Sequence, residues 1–167
     1  MFLIMLVSLA FSAMACSNGI NNGPLILDDG SSGCSSYNKT RAGDLFSLSI
    51  MFPFNQGEFP LTISSVSLIK PENMEIVETS LMEVGEERTL IGFVKWPLKN
   101  LDNYPHFNDR VTAKGATIEP GEGFNLIFVV KLTADTAHAD GLRIDYETAD
   151  GSRYYVNSYY GYEFTPE

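Results

Sequence analysis

After Asp44, the chain consists of apolar runs of strand length separated by Gly, Pro, Asn and Asp. This spacing is typical of short strands joined by turns. The run 124–132 is the strongest, and four of its side chains alternate so that they share one face: Phe124, Leu126, Phe128 and Val130. No segment past residue 15 keeps a helical period over three turns. We therefore predict an all-β domain with these four side chains facing its core.

The remaining apolar runs bring the number of predicted strands to seven or eight. They span residues 45–52, 61–69, 75–78, 89–96, 112–118, 142–146 and 153–160. Within 61–69 the alternation changes parity at Ser64-Ser65, which predicts a bulge there. The run 75–78 is interpreted as a short edge strand, and 80–87 could form one helical turn at most. So many short strands predict an antiparallel β-sandwich over residues 44–167.

The second half of the chain has a recognisable layout. A Pro-Gly turn at 119–123 precedes the strongest strand, and a further strand leads to a hairpin at Asp150-Gly151. Asp-Gly between alternating runs is a strong hairpin signal. This layout resembles the second half of immunoglobulin-like exported domains, which implies an immunoglobulin-like sandwich. The Cys-Trp-Cys signature of antibody domains is missing.

The first fifteen residues, MFLIMLVSLAFSAMA, form an uncharged apolar leader that ends in Ala13-Met14-Ala15. An apolar run that ends with small residues at the positions of Ala13 and Ala15 is typical of a secretory signal peptide. The run is too short to cross a bilayer as a helix, which takes about 20 residues. We therefore predict that residues 1–15 are a signal peptide and that the protein is exported.

The residues around the end of this leader, Ser12-Ala13-Met14-Ala15-Cys16, resemble a bacterial lipobox. The resemblance implies that the leader is removed before Cys16, whose sulfur then carries lipid that anchors the protein to the cell membrane or outer surface. Two or more acyl chains hold a protein to a membrane where one holds it poorly. The leader has no Lys or Arg near Met1. Ordinary cleavage after Ala15, which would release a soluble secreted protein, therefore stays open.

Ser, Asn and Gly fill more than half of residues 17–43. Such a composition predicts a flexible tether over 16–43. Within it, Leu25-Ile26-Leu27 is an apolar island that could add an edge strand. If Cys16 carries lipid, Cys34 is left as a lone thiol, whereas two free cysteines could close a disulfide.

The net charge is −10, and none of it lies in the leader. An acidic surface repels phosphate backbones, so we expect no nucleic-acid partner. We expect a membrane contact through lipid on Cys16, together with a protein, peptide or glycan partner.

The sequence carries none of the motifs that mark common enzymes: no G-x-S-x-G elbow, P-loop or H-E-x-x-H. Asp135, His138 and Asp140 form a weak candidate metal or acid–base site between two predicted strands. A polar loop in water is the favoured interpretation of this segment, because loops are rich in Asp. We therefore predict no cofactor and no catalytic residue, and a metal-dependent hydrolase is the least favoured alternative.

The C-terminal region concentrates six of the eight tyrosines. In the pairs Tyr154-Tyr155 and Tyr159-Tyr160, neighbouring side chains must point to opposite faces of a strand. Cross-strand packing that stabilises a hairpin is the favoured interpretation. The alternative is a binding surface, and these four rings are its best candidates. The sequence thus predicts a lipid-anchored cell-envelope protein with a non-enzymatic binding or structural β-sandwich, whose ligand it does not identify.

Overall fold

The structure, a computed structural model, describes residues 20–21, 23–27, 33–84, 92–99 and 105–167. The predicted signal peptide and Cys16 lie outside these residues. No helix in the described ranges is long and apolar enough to cross a membrane.

The described residues form fifteen strands, several of them only two or three residues long, and one 3₁₀ helix. The strands before the helix are β1 (Ile20–Asn21), β2 (Leu25–Leu27), β3 (Cys34–Asn38), β4 (Leu45–Met51), β5 (Pro53–Asn55), β6 (Leu61–Ile69), β7 (Met74–Glu83) and β8 (Gly92–Lys95). The helix spans Pro105–Asp109. The strands after it are β9 (Val111–Thr112), β10 (Thr117–Ile118), β11 (Phe124–Leu132), β12 (Ala137–Ala139), β13 (Gly141–Thr148), β14 (Arg153–Ser158) and β15 (Gly161–Thr165).

Two five-stranded sheets form the body of the fold. The first sheet has the order β1-β14-β13-β6-β10, and the second has the order β8-β4-β11-β7-β9. Buried side chains from both sheets, such as Ile63 and Ile144 of the first and Leu48 and Leu81 of the second, share one core. The predicted all-β sandwich is confirmed.

Strand β11 lies at the centre of the second sheet, between β4 and β7. Its side chains Leu126, Phe128 and Val130 are fully buried, and Phe124 packs half-buried at the edge of the core, as predicted. The opposite face of β11 is buried too, because Ile127 packs with Phe107 of the 3₁₀ helix in a second, smaller cluster. Burial on both faces explains why this run is apolar almost throughout.

A third sheet, with the order β12-β15-β3, packs against the core. Its Phe164 ring lies 5.0 Å from Phe46, and its Tyr162 ring lies edge-on to Phe128 at 5.6 Å. Strand β15 was not among the predicted strands, yet both of its aromatic rings are fully buried. The edge-to-face pair of Tyr162 with Phe128 adds to the stability that burial alone provides.

The prediction of a flexible tether at 16–43 is corrected by the structure, because the residues described there include three strands. Strand β1 pairs with β14 in parallel, β2 pairs with β5, and β3 pairs with β15 in parallel. Leu25 is only 2% exposed. The apolar island at 25–27 does form a strand, as expected. The described residues between 20 and 43 therefore belong to the folded domain, because apolar Leu25 and the free strand edges of the sandwich both gain from the pairing.

The bulge in β6 is confirmed, because its register against β13 shifts between Ser65 and Ile63. The hairpin at Asp150-Gly151 is confirmed as well, since β13 pairs directly with β14. The proposed edge strand at 75–78 is wrong. It is part of the ten-residue β7, which continues through Glu83 and leaves residues 80–83 no helical turn.

The weak strand predicted at 112–118 is two short strands instead. Strand β9 pairs with β7 in the second sheet, whereas β10 pairs with β6 in the first. Between them Gly115 has a φ of +85°, a left-handed conformation that glycine adopts without strain. The segment divides because it crosses from one sheet to the other.

Candidate functional site

The first tyrosine pair lies on β14, where alternation separates the two rings. Tyr154 points inward and stacks on Tyr146 of β13, with ring centroids 5.6 Å apart and planes at 22°. Tyr155 lies on the outer face of the first sheet, where the guanidinium of Arg143 stands 4.0 Å from its ring centroid. Both rings are half-buried, the inner one packed against the core and the outer one on the surface of the first sheet.

The second pair follows the end of β14. Tyr160 packs against the core, and its hydroxyl is 2.5 Å from Oγ of Ser35. Tyr159 is 64% exposed, and its hydroxyl accepts a hydrogen bond from Nδ2 of Asn157 at 3.0 Å. In each pair, one ring packs inward and the other faces out. Strand alternation accounts for the first pair, whereas the second pair lies between β14 and β15. Contact of the outer rings with a ligand stays a prediction.

The outer rings are joined by polar side chains into a continuous surface, which we call the tyrosine face: Tyr155, Arg143, Asp145, Asn157 and Tyr159. Arg143 lies directly opposite Asn157 in the ladder, and Asp145 lies opposite Tyr155. Arg143 donates to Oδ1 of Asp145 from Nε at 2.9 Å and from Nη2 at 2.6 Å. Ser65 of β6 donates to the other oxygen of Asp145 at 3.0 Å. These bonds fix the guanidinium above the Tyr155 ring.

The electrostatics of the tyrosine face follow from the pairing of Arg143 with Asp145. The hydrogen bond from Arg143 to Asp145 raises the pKa of the guanidinium, so it stays charged, and the carboxylate balances that charge locally. The result is a weakly charged strip of aromatic and hydrogen-bonding groups on β13, on β14 and just beyond the end of β14. Aromatic rings of this kind supply contact area at a low entropic cost, which suits the recognition of neutral polar ligands.

At one end of the tyrosine face lies the polar group that includes two of the weak metal candidates. Asp140 accepts a hydrogen bond from Nζ of Lys70 at 2.7 Å and lies 2.8 Å from Nε2 of His138. The hydrogen bond from Lys70, and then the one with His138, lower the pKa of the Asp140 carboxyl. The same bond raises the pKa of Lys70, with a smaller contribution from Tyr159.

The third weak candidate, Asp135, has other partners. Its Oδ1 accepts a hydrogen bond from the backbone N–H of Ala42 at 2.8 Å, and its backbone carbonyl accepts one from Thr40. Among the residues that the structure describes, no three His, Cys, Asp or Glu side chains are grouped to hold a metal ion. His138 also lies in β12, paired with Glu163 of β15, rather than in a simple loop.

Cys34 lies at the start of β3, opposite Gly161 of β15. Its side chain is exposed, yet partial burial of the thiol and the nearby Glu163 raise its pKa. A raised pKa leaves less thiolate at neutral pH, so this cysteine is a weaker nucleophile than an ordinary one. Pairing with Cys16 lies outside the described residues.

The sequence did not single out Arg143, Asp145 and Asn157 as members of the site. The position of these residues could have been predicted from the register between β13 and β14, which the Asp150-Gly151 turn sets. That register places Asp145 opposite Tyr155, and the alternation of β13 then puts Arg143 on the same face. Arg143 contacts the ring through the length of its side chain, which strand spacing alone does not indicate.

Comparison with known proteins finds only distant structural likenesses. No protein-family model matches the sequence, and no curated protein does. The ASH/PapD-like domain of human CEP192 (PapD-like domain 7) superposes with a TM-score of 0.40 at 8% identity, over 99% of this chain and 98% of that one. The Vibrio cholerae VesB protease superposes with a TM-score of 0.38 at 12% identity, over 84% of this chain and 31% of that one. At such scores neither likeness bears on the ligand or activity of this chain.

Proposed function

We propose that the protein is a lipid-anchored cell-envelope protein whose β-sandwich binds a partner without catalysing a reaction. The observation that carries the binding role is the tyrosine face, where Tyr155 points outward from β14 and Tyr159 is exposed just after that strand ends. These two rings lie outside the core, whereas Tyr154 and Tyr160 pack against it.

The anchor in this proposal is lipid on Cys16. Its support comes from the apolar leader that ends at Ala15-Cys16. Replacing Cys16 with Ser and separating membrane from soluble fractions tests it. The wild-type protein should fractionate with membranes and the variant should not. Equal membrane association of the two proteins would overturn the lipid anchor.

The partner class follows from the chemistry of the tyrosine face. Arg143 is already neutralised by Asp145, so the surface offers no free charge to an ionic ligand. The exposed ring and phenol of Tyr159, the half-buried ring of Tyr155 and the amide nitrogen of Asn157 instead match a neutral ligand with hydroxyl or amide groups. We therefore propose a glycan, or the exposed backbone of a peptide, as the ligand.

The binding role is tested by the double variant Tyr155→Ser/Tyr159→Ser, screened against a glycan array and an array of short neutral peptides. The matched control is Val77→Ser/Val111→Ser, which changes two exposed apolar side chains on the second sheet. Free energies of unfolding are measured for both. Binding by the wild type and the control, with loss in the tyrosine variant at unchanged stability, supports the site. Loss of stability without a specific loss of binding would show that the rings only pack.

A further inference from the structure

Exposed apolar side chains gather at one end of the sandwich. Seven large hydrophobic side chains are exposed among the described residues, and four of them lie at this end: Ile26, Phe54, Phe59 and Val84. With Pro24 they form what we call the apolar end. Phe59 is the most exposed of them at 65%. Contiguous apolar surface of this kind commonly marks an interaction site.

Two shallow grooves divide the apolar end. One, of about 520 Å³, is lined by Pro24 and Phe59 together with Tyr154 and Ala149 at the β13–β14 hairpin. The other, of about 450 Å³, is lined by Ile26, Phe54 and Val84 with apolar neighbours. Ile26 and Phe54 are directly paired between β2 and β5, so the β2–β5 ribbon separates the two grooves.

Strand β1 begins at the apolar end, four residues after Cys16 in the sequence. Ile20 pairs with Tyr154, whose ring lines the first groove. Because β1 runs parallel to β14, the amino-terminal side of Ile20 faces the β13–β14 hairpin. Cys16 is four residues before Ile20, and four residues span at most about 14 Å when fully extended. A lipid on Cys16 would therefore hold Ile20, and with it the neighbouring Tyr154 of the first groove, within about 14 Å of the anchored residue.

We propose that the apolar end lies against the bilayer that holds Cys16, with the Phe59 ring in the interfacial region. This inference rests on the lipid anchor proposed above. Aromatic and aliphatic side chains are favoured at the boundary between headgroups and acyl chains. Glu58 and Asp150 line the first groove beside Phe59, so the surface suits neutral, zwitterionic headgroups rather than anionic ones. Tyr159 lies beyond the opposite end of β14, away from the membrane and free to meet a partner.

The test uses the full lipidated protein, purified and reconstituted into phosphatidylcholine vesicles. The chain has a single tryptophan, Trp96. In a Trp96→Phe background, Phe59→Trp places the only indole at the apolar end, and the matched control Tyr159→Trp places it on the tyrosine face. Fluorescence is compared in ordinary vesicles and in vesicles whose phosphatidylcholine has brominated acyl chains. We expect the bromines to quench most of the emission from position 59 and little from position 159.

The outcomes separate this inference from the anchor on which it rests. Mass spectrometry of the same sample reports whether Cys16 carries lipid. If it does and position 59 is not quenched more than position 159, the docking proposal is overturned while the anchor stands, and a protein partner becomes the better explanation of the apolar end. If Cys16 carries no lipid, both fall. Hydrogen exchange of the wild-type protein avoids any folding defect of the variants. Amides at 57–59 should exchange more slowly on vesicles than in the soluble Cys16→Ser protein, and equal rates would contradict the docking.

Discussion

The backbone N–H of Leu25 donates a hydrogen bond to the phenol oxygen of Tyr146 at 3.2 Å, across 121 positions of the chain. Tyr146 is buried in the first sheet, and this bond holds the N-terminal segment on it. Burial raises the pKa of Tyr146, so the phenol stays protonated at neutral pH. This hydrogen bond therefore attaches the segment predicted as a tether to the first sheet of the folded domain.

Replacing Tyr146 with Phe keeps the ring but removes the acceptor for a buried N–H. An unsatisfied buried group costs about 1–3 kcal/mol, and we expect a loss of that size in the free energy of unfolding. Chemical denaturation measures it, and hydrogen exchange should show faster exchange in residues 23–27. Tyr159→Phe is the control, because its phenol is exposed, and it should change stability by less than about 0.5 kcal/mol. Equal stability of the Tyr146 variant and wild type would mean that the N-terminal segment is not held this way.

Phe128 lies at the centre of the core, fully buried and edge-on to Tyr162. Truncation to Ala leaves a cavity, and we expect a loss of about 3–5 kcal/mol in the free energy of unfolding. Val77→Ala on the exposed side of β7 should stay within about 0.5 kcal/mol. A shift well under 1 kcal/mol for Phe128→Ala would place that ring outside the core.

The pKa of Asp140 lies below its ordinary value of 3.8 because Lys70 donates a hydrogen bond to the carboxylate. A carboxyl with a lowered pKa binds its proton less tightly in the folded state than in the unfolded state. Its contribution to stability is therefore complete above the unfolded-state pKa and is lost as the pH falls through the folded-state value. NMR titration of the Asp140 carboxyl carbon should give a midpoint that rises in Lys70→Ala. Lys39→Ala, which removes an exposed ion pair with Glu167, is the control and should leave it unchanged. An unchanged midpoint in Lys70→Ala would mean that Lys70 does not set this pKa.

The sequence predicted the parts of the fold whose signal is local. A few neighbouring residues are enough to show the alternation in 124–130 and the turn at Asp150-Gly151. The strand and the hairpin both form as expected. The N-terminal segment is predicted as a tether because Ser, Asn and Gly fill more than half of residues 17–43, yet three strands form within it. Their order depends on distant partners, Tyr154 for Ile20 and Phe54 for Ile26, which composition does not reveal.

The candidate site was likewise only partly predictable from the sequence. Alternation within Tyr154-Tyr155 was enough to predict that one ring faces out. Two other contacts depend on the register between β13 and β14 and on side-chain length. Arg143 lies against the Tyr155 ring, and Asp145 balances the charge of Arg143. The gathering of Phe59, Pro24 and Ile26 at one end depends on loops from distant parts of the chain, which carry no periodic signal.

The lipid on Cys16 is the central claim, because the anchor and the orientation of the apolar end both depend on it. Intact-mass and fragment mass spectrometry of the mature protein, purified from the membranes of the cells that make it, tests the claim most directly. We expect the mature chain to begin at Cys16 and to carry the added mass of a diacylglycerol on its sulfur. A mature chain that begins at Cys16 without added mass, or one that keeps the leader, would contradict the account.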